Sequence, residues 1–416
     1  MLYILTFVDA LVLFVISILI NEDEQRANNG NAQGAQVSDT ANATPSSGTA
    51  EAVISRLSRL DRFLPVWIIA AMAIGLVLGR NFPSLTDALD SFTIGSVSVP
   101  IAIGLLVMMY PVLAKVRYNE TSRIAADRKL LGASIVMNWV LGPALMFALA
   151  WLLLPDLPEY RTGLIIVGLA RCIAMVLIWN DLACGDREAA AVLVAINSIF
   201  QVFAFAALGW FYLQTLPGWL GLDTTSAEFS LTAITVSVLV FLGIPLLAGF
   251  VTRQIGERTK GRDWYESVFL PKIGPWALYG LLFTIVLLFA LQGDAITSNP
   301  VDVVRIALPL LSYFAITFSL GMVVGHYLKL GYAKTTTLAF TAAGNNFELA
   351  IAVAIGTFGI TSGQALAGVV GPLIEVPVLV GLVYVALWAG RHHFPNDPTG
   401  PTSVILGTSR QGETHA

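Results

Sequence analysis

The stretch Thr341-Ala-Ala-Gly-Asn-Asn-Phe-Glu-Leu-Ala-Ile-Ala-Val-Ala-Ile355 sets one carboxylate, Glu348, in the middle of an otherwise apolar run. Hydrophobic flanks on both sides place Glu348 at membrane depth. A charged carboxylate there costs about 2.5–3.5 kcal/mol on insertion scales. Such groups face a bundle interior or a water cavity, where they bind an ion, carry a proton or meet a substrate. Gly344, Asn345 and Asn346 weaken the helix just before it and offer polar side chains. The combination predicts a broken transmembrane helix that lines a transport site.

The rest of the chain supports a membrane reading. It is 56% hydrophobic and 12% charged, whereas soluble domains carry about 25% charged residues. Its net charge of −4 matters less than where the charges fall. Two cysteines, Cys172 and Cys184, cannot form a disulfide scaffold. His326, His392, His393 and His415 lie near helix ends or in the tail. Zinc-ligand spacing, a glycine-rich phosphate loop and a nucleophile elbow are all missing, so no cofactor is expected. No basic patch suits a nucleic acid.

Apolar runs able to span about 30 Å of hydrocarbon fall at 63–79, 97–114, 130–154, 163–182, 189–214, 229–251, 274–292, 302–326, 335–357 and 365–390. These ten spans define a core over 55–392. A further apolar run at 1–20 lacks a basic leader region and reads as an additional membrane helix rather than a cleaved signal. Residues 21–54 form a flexible polar linker, and 393–416 a flexible cytoplasmic tail. Lys115, Arg117, Arg123, Arg128 and Lys129 load one loop, Arg253, Arg258, Lys260 and Arg262 another, and Lys329 with Lys334 a third. The alternate loops at 83–97, 217–228 and 292–302 contain no Lys or Arg. By the positive-inside rule both ends of the core are cytoplasmic.

Polar residues in the fourth and ninth spans, Trp179-Asn-Asp181 and Gly344-Asn-Asn-Phe-Glu348, divide the ten spans into two halves of five. Five is odd, so equivalent helices run in opposite directions, as an inverted repeat. The predicted fold is therefore an all-α membrane protein of ten helices in two inverted repeats, with the fourth and ninth broken.

Within the fourth span lies Gly168-Leu-Ala-Arg-Cys-Ile-Ala-Met-Val-Leu-Ile-Trp-Asn-Asp181. Cys172 reads equally as a small buried hydrophobe or as a functional thiol beside the cation of Arg171. If the helix continues, Cys172 shares a face with Trp179 and Asn180. Cys184 reads as a tolerated loop cysteine. Glu348 reads as a functional acid, the structural alternative being a buried partner for Arg171. Glu375, in Gly371-Pro-Leu-Ile-Glu-Val-Pro377, is either a second functional acid or a paired group near a proline bend. Asn138 and Asn197 are interhelical contacts or ligands, and Trp139, Trp151 and Trp179 pack or anchor.

At these segments the chain resembles the arsenical-resistance arsenite efflux permeases of the bile acid/arsenite/riboflavin transporter superfamily. The likeness spans about residues 55–392 and rests on Pro100-Ile-Ala-Ile-Gly-Leu-Leu-Val-Met-Met-Tyr-Pro111, the stretch from Gly168 to Ala183, Gly274-Pro-Trp-Ala277 and Gly344-Asn-Asn-Phe-Glu-Leu-Ala350. The resemblance implies that Cys172 and Glu348 are the central functional pair. It also implies supporting roles for Arg171, Asn138, Trp179, Asn197, Asn346 and Glu375. The implied activity is expulsion of arsenite, with antimonite in some members, across the cell membrane in exchange for protons. Residues 1–52 depart from the usual short terminus.

The chemistry agrees. Arsenious acid is small, neutral near pH 7 and thiophilic, so a soft sulfur ligand selects it against hard oxyanions. One reachable cysteine captures it transiently, and transport needs sites weak enough to release. The nearest rival is a sodium-coupled importer of organic anions on the same architecture, in which Asn345, Asn346 and Glu348 serve sodium and Cys172 is idle. A thiol-dependent intramembrane enzyme lacks a histidine base at mid-membrane depth. A thiol-reactive membrane sensor would usually carry a signalling domain, and both ends read here as too short and polar for one.

Overall fold

The structure, a computed structural model, describes residues 64–82, 92–94, 97–116, 127–173, 175–222, 230–298, 300–395 and 397–401. The expected N-terminal helix and the whole linker lie outside these residues, as do positions 117–126 of the first basic loop and the end of the tail. The described chain is helical apart from a short ribbon of β1 (Thr93–Ile94) paired antiparallel with β2 (Val97–Ser98) and one isolated bridge.

Among the described residues, twelve helices cover the ten expected spans. They are α1 (Leu64–Asn81), α2 (Val99–Ala114), α3 (Arg128–Leu153), α4 (Pro158–Leu169), α5 (Met175–Leu182) and α6 (Arg187–Trp219). The second half holds α7 (Leu231–Lys260), α8 (Arg262–Gly293), α9 (Pro300–Tyr327), α10 (Tyr332–Ala343), α11 (Phe347–Phe358) and α12 (Gly363–His393). Six of them, α3, α6, α7, α8, α9 and α12, are long and apolar enough to cross a membrane unbroken. The fourth and ninth spans are each a pair of half-helices, α4 with α5 and α10 with α11.

Local chemistry sets the helix starts. Asp127, Asp186, Ser230, Asn346 and Ser362 each accept a backbone N–H from three residues on, capping α3, α6, α7, α11 and α12. Arg258 and Lys260 close α7, and Arg391, His392 and His393 close α12, where cations suit the negative end of the dipole.

Four long helices carry a π turn, and each turn ends just ahead of a proline. The turns are Met137–Leu141, Phe211–Thr215, Leu239–Gly243 and Tyr265–Phe269, preceding Pro143, Pro217, Pro245 and Pro271. A proline has no N–H and its ring crowds the carbonyl four residues back. In every case the residue before the proline reaches back five residues instead, as Gly142 does to the Met137 carbonyl. The wide turn re-satisfies the backbone and keeps the span intact in lipid.

The helices sort into two groups. α8 packs along α1 and α2, and α7 packs on α2. Gly280 of α8 sits where a Cβ would lie 2.7 Å from the Met108 backbone nitrogen, so only a small residue permits this approach. The other six spans form the second group: α9 with α10, α12 and α3, and α4 with α12, α3 and α11. The start of α7 touches α11 and α6, and α1 and α8 touch α12, closing the seam between the groups.

Candidate functional site

The site is built where the two broken spans cross. α4 ends at Leu169, and the chain from Ala170 runs extended past Arg171 and Cys172. α10 ends at Ala343, and Gly344 to Asn346 run extended before α11. The two segments meet antiparallel, with Arg171 opposite Asn345. The Cys172 amide donates to the Gly344 carbonyl at 3.3 Å, and the Asn346 amide donates to the Ala170 carbonyl at 3.0 Å. Each break thus supplies the backbone partners the other has lost, as membrane depth demands.

Side chains complete the accounting. The Gln201 carboxamide on α6 grips the backbone of Arg171 from both sides. Its Oε1 accepts the Arg171 N–H at 2.8 Å, and its Nε2 donates to the Arg171 carbonyl at 3.0 Å. Asn345 Nδ2 donates to the Val167 carbonyl at 3.0 Å, and Asn346 Oδ1 accepts the Leu349 N–H at 3.0 Å. Glu375 Oε1 accepts the Asn345 N–H at 3.2 Å.

The break in the fourth span falls at Ala170–Ile173, not at Trp179-Asn-Asp181 as the polar residues suggested; the latter are helical and belong to α5. No Gly or Pro marks the true break. It is held open by Gln201 and the partner segment, which are tertiary contacts a local reading cannot see. Cys172 therefore does not share a helix face with Trp179.

A cleft opens on this crossing at the seam of the two helix groups. The six-span group contributes Cys172, Ile173, Met175, Asn345, Asn346 and Glu348. α2 of the other group contributes Met108, Met109 and Val112. Cys172 thus shares the cleft with three methionines, Met175 on its own wall and Met108 and Met109 on the facing one. Cys172 itself is only 3% exposed. Glu348 occupies the first turn of α11, at the positive end of that half-helix, and is more open than its neighbours.

The remaining sequence candidates lie around this cleft. Glu375 is buried one bond behind it, through the Asn345 amide. Arg171 sits on the crossing but turns its guanidinium away, to the Tyr313 hydroxyl at 2.7 Å and to the Gly168 carbonyl. It makes no ion pair with Glu348; the ion pairs among the described residues lie elsewhere. Asn197 accepts from the Trp139 indole N–H at 3.1 Å, and its backbone carbonyl accepts from Gln201 at 3.3 Å. Asn138 donates to Ser134 on its own helix. Trp179 is buried on α5, and neither it nor Asn138 lines the cleft. Cys184 stands past the end of α5 with φ of 55° and is also off the cleft.

Gln201, Tyr313 and the methionines escaped the sequence reading. Gln201 had a usable signal, since it lies four residues after Asn197 on the same face of an apolar span. The methionines look like ordinary core.

The chain is 65% identical over 350 residues to the arsenical-resistance protein Acr3 of Corynebacterium glutamicum, an overlap of 84% of this chain and 95% of that protein. The chain belongs to the arsenical-resistance permease family. It is also 34% identical over 347 residues to Acr3 of Alkaliphilus metalliredigens, covering 80% of this chain and 94% of that one. An uncharacterized transporter of Synechocystis is 37% identical over 369 residues, or 83% and 93% of the two chains. Residues 102–299 match the model of the Sodium Bile acid symporter family. The permease is accordingly a multi-pass membrane transporter rather than an enzyme.

Proposed function

We propose that this permease exports trivalent arsenic, arsenite and by the same chemistry antimonite, from the cytoplasm in exchange for protons, and so confers arsenic resistance. The observation that carries the proposal is the opening of Cys172 and Glu348, one from each broken span, into the same cleft. A soft thiol and a carboxylate lining one cleft supply a ligand for a thiophilic metalloid and a proton carrier for its exchange.

In this reading the Cys172 sulfur displaces one hydroxyl of neutral arsenious acid, which leaves as water with the thiol proton, and water reverses the As–S bond on release. The thioethers of Met108, Met109 and Met175 give a soft, weakly binding lining that permits that release. Glu348 gives up its proton toward the cytoplasm when substrate binds and takes one from outside when the site empties. Glu375, linked through the Asn345 amide, is the second candidate for that proton. Asn346 and Gln201 hold the two breaks in register. Arg171, and Asn197 through Gln201, support the crossing from behind, while Asn138 and Trp179 stand off the cleft.

Alternating access follows from the seam. Its two walls belong to different helix groups, so rocking α1, α2, α7 and α8 against the six-span group exposes the cleft to either side. The basic loops favour an orientation in the cell membrane with both ends of the ten-helix core on the cytoplasmic side. The inverted repeat is supported by two ion pairs. Asp127 ahead of α3 pairs with Lys334 of α10, and Arg305 of α9 pairs with Asp156 ahead of α4, the same tie with its charges exchanged.

The match to a sodium symporter model favours a second reading, sodium-coupled import of an organic anion. The two part in one experiment: arsenite flux in everted vesicles under an imposed pH gradient with sodium absent. Export by proton exchange predicts arsenite accumulation; the symporter predicts none.

A further inference from the structure

Four half-helix ends meet at the crossing. α5 and α11 present their N-termini there, and α4 and α10 their C-termini. Transporters with discontinuous helices use such C-terminal carbonyls and unwound backbone to seat a coupling cation. In this chain the seat is taken by the protein itself. Arg171 is 0% exposed. Its Nη2 donates to the Gly168 carbonyl in the last turn of α4. Its Nη1 donates at 2.7 Å to the Tyr313 hydroxyl, which donates at 3.4 Å to the Ala342 carbonyl in the last turn of α10. The space is fitted to the group: a Cβ on Gly142 would lie 2.6 Å from Nη1.

A structural arginine inside a membrane protein ordinarily pairs with an acid or with backbone carbonyls. Among the described residues no carboxylate pairs with Arg171. Glu348 stands in the first turn of α11, at its positive end, and Glu375 accepts the Asn345 N–H. The charge of Arg171 is therefore met by the negative ends of the two half-helices.

We infer that Arg171 is a tethered stand-in for a coupling cation, and that neutralising it uncovers a monovalent-cation site formed by the Gly168 and Ala342 carbonyls and the Tyr313 hydroxyl. A guanidinium keeps its charge in protein interiors, so the seat is filled at all times and the crossing holds together without sodium. A charge fixed to the chain cannot be released to either side. It contributes to the shape of the crossing and not to the transported current. On this account one architecture serves both sodium-coupled and sodium-independent transport, according to whether the positive charge at the crossing is mobile or covalently attached.

The test uses no transport substrate, so its outcome is separate from that of the arsenite reading. Purified full-length protein in detergent is melted in sodium chloride and in choline chloride at equal ionic strength. Wild type and Arg171→Lys, which keeps a tethered cation, are expected to melt at the same temperature in both salts. Arg171→Gln and Arg171→Ala are expected to melt lower in choline. Sodium, or millimolar guanidinium, should then raise them by about 3 °C in a saturable way. A neutral variant that is recovered folded only when extracted in sodium or guanidinium supports the same conclusion. Neutral variants indifferent to both cations, or unrecoverable in their presence, overturn it. So does a wild-type protein that is itself stabilised by sodium over choline.

Discussion

Cys172 and Gly344 are in direct contact at the centre of the crossing: the Cys172 amide donates to the Gly344 carbonyl, and a Cβ on Gly344 would stand 2.9 Å from the Cys172 Cβ and 3.5 Å from its sulfur. The residue that breaks the ninth span is thus also the residue that leaves room for the thiol. Gly344→Ala is expected to displace the sulfur and lower arsenite flux about a hundredfold, the scale of loss for a misplacement near 1 Å. Flux normalised to folded protein, alongside the rate of thiol labelling, checks this. Unchanged flux would detach the thiol's position from transport.

The two cysteines should separate cleanly. Cys172→Ser swaps a soft sulfur for a hard hydroxyl and is expected to remove arsenite export while leaving the melting temperature near wild type. Cys184→Ser, off the cleft, is expected to transport normally. Arsenite resistance of expressing cells ranks the variants, and a sensitive Cys184→Ser strain would argue against the assignment.

Gln201 satisfies both backbone groups of Arg171, so Gln201→Leu leaves a buried N–H and a buried carbonyl unpaired. Orphaned buried groups cost about 1–3 kcal/mol each. Thermal unfolding should show a loss of that order, with the fourth break loosened and Cys172 labelled faster. A Gln201→Leu protein as stable as wild type would mean that the crossing does not depend on this clamp.

The spans were legible because ten apolar runs and alternating basic loops are properties of the sequence alone. The ninth break was legible for a local reason: Gly344, Asn345 and Asn346 disfavour helix and cap the next one. The fourth break was not. Ala170-Arg-Cys-Ile173 contains no helix breaker, and its extended form is imposed by Gln201, 30 residues away, and by the antiparallel segment at 344–346. For the same reason the cleft's thiol and carboxylate were visible as anomalies, while Gln201, Tyr313 and the three methionines gain meaning only from their neighbours in space.

Asp127 ties α3 to α10 through Lys334 at 2.6 Å. The Lys334 hydrogen bond, opposed by burial, holds its carboxyl below the ordinary value of 3.8. A depressed carboxylate stabilises the fold above its unfolded value and loses that contribution as pH falls through the folded one. Both side chains are partly exposed, at 26% and 39%, so the pair is worth at most about 1 kcal/mol. Lys334→Met should therefore melt slightly below wild type at pH 7, with the gap closing below about pH 3.8. A gap that persists in acid would assign the effect to packing.

Glu348→Gln keeps the shape of the carboxylate but cannot exchange a proton near neutral pH. Since Arg171 bonds Tyr313 and Gly168 rather than Glu348, the amide strands no cation, and the variant should fold. It is expected to bind arsenite and fail to concentrate it. Proton-driven flux equal to wild type would pass the proton role to Glu375.

The central claim is that one thiol and one carboxylate in the crossing cleft exchange trivalent arsenic for protons. Its most direct test is arsenite accumulation by everted vesicles with an acid lumen and no sodium, comparing wild type with Cys172→Ser at equal folded protein. The account predicts accumulation by wild type that collapses when the pH gradient is dissipated, and none by the variant. Wild-type vesicles that fail to respond to the gradient, or Cys172→Ser vesicles that accumulate arsenite equally well, would contradict it.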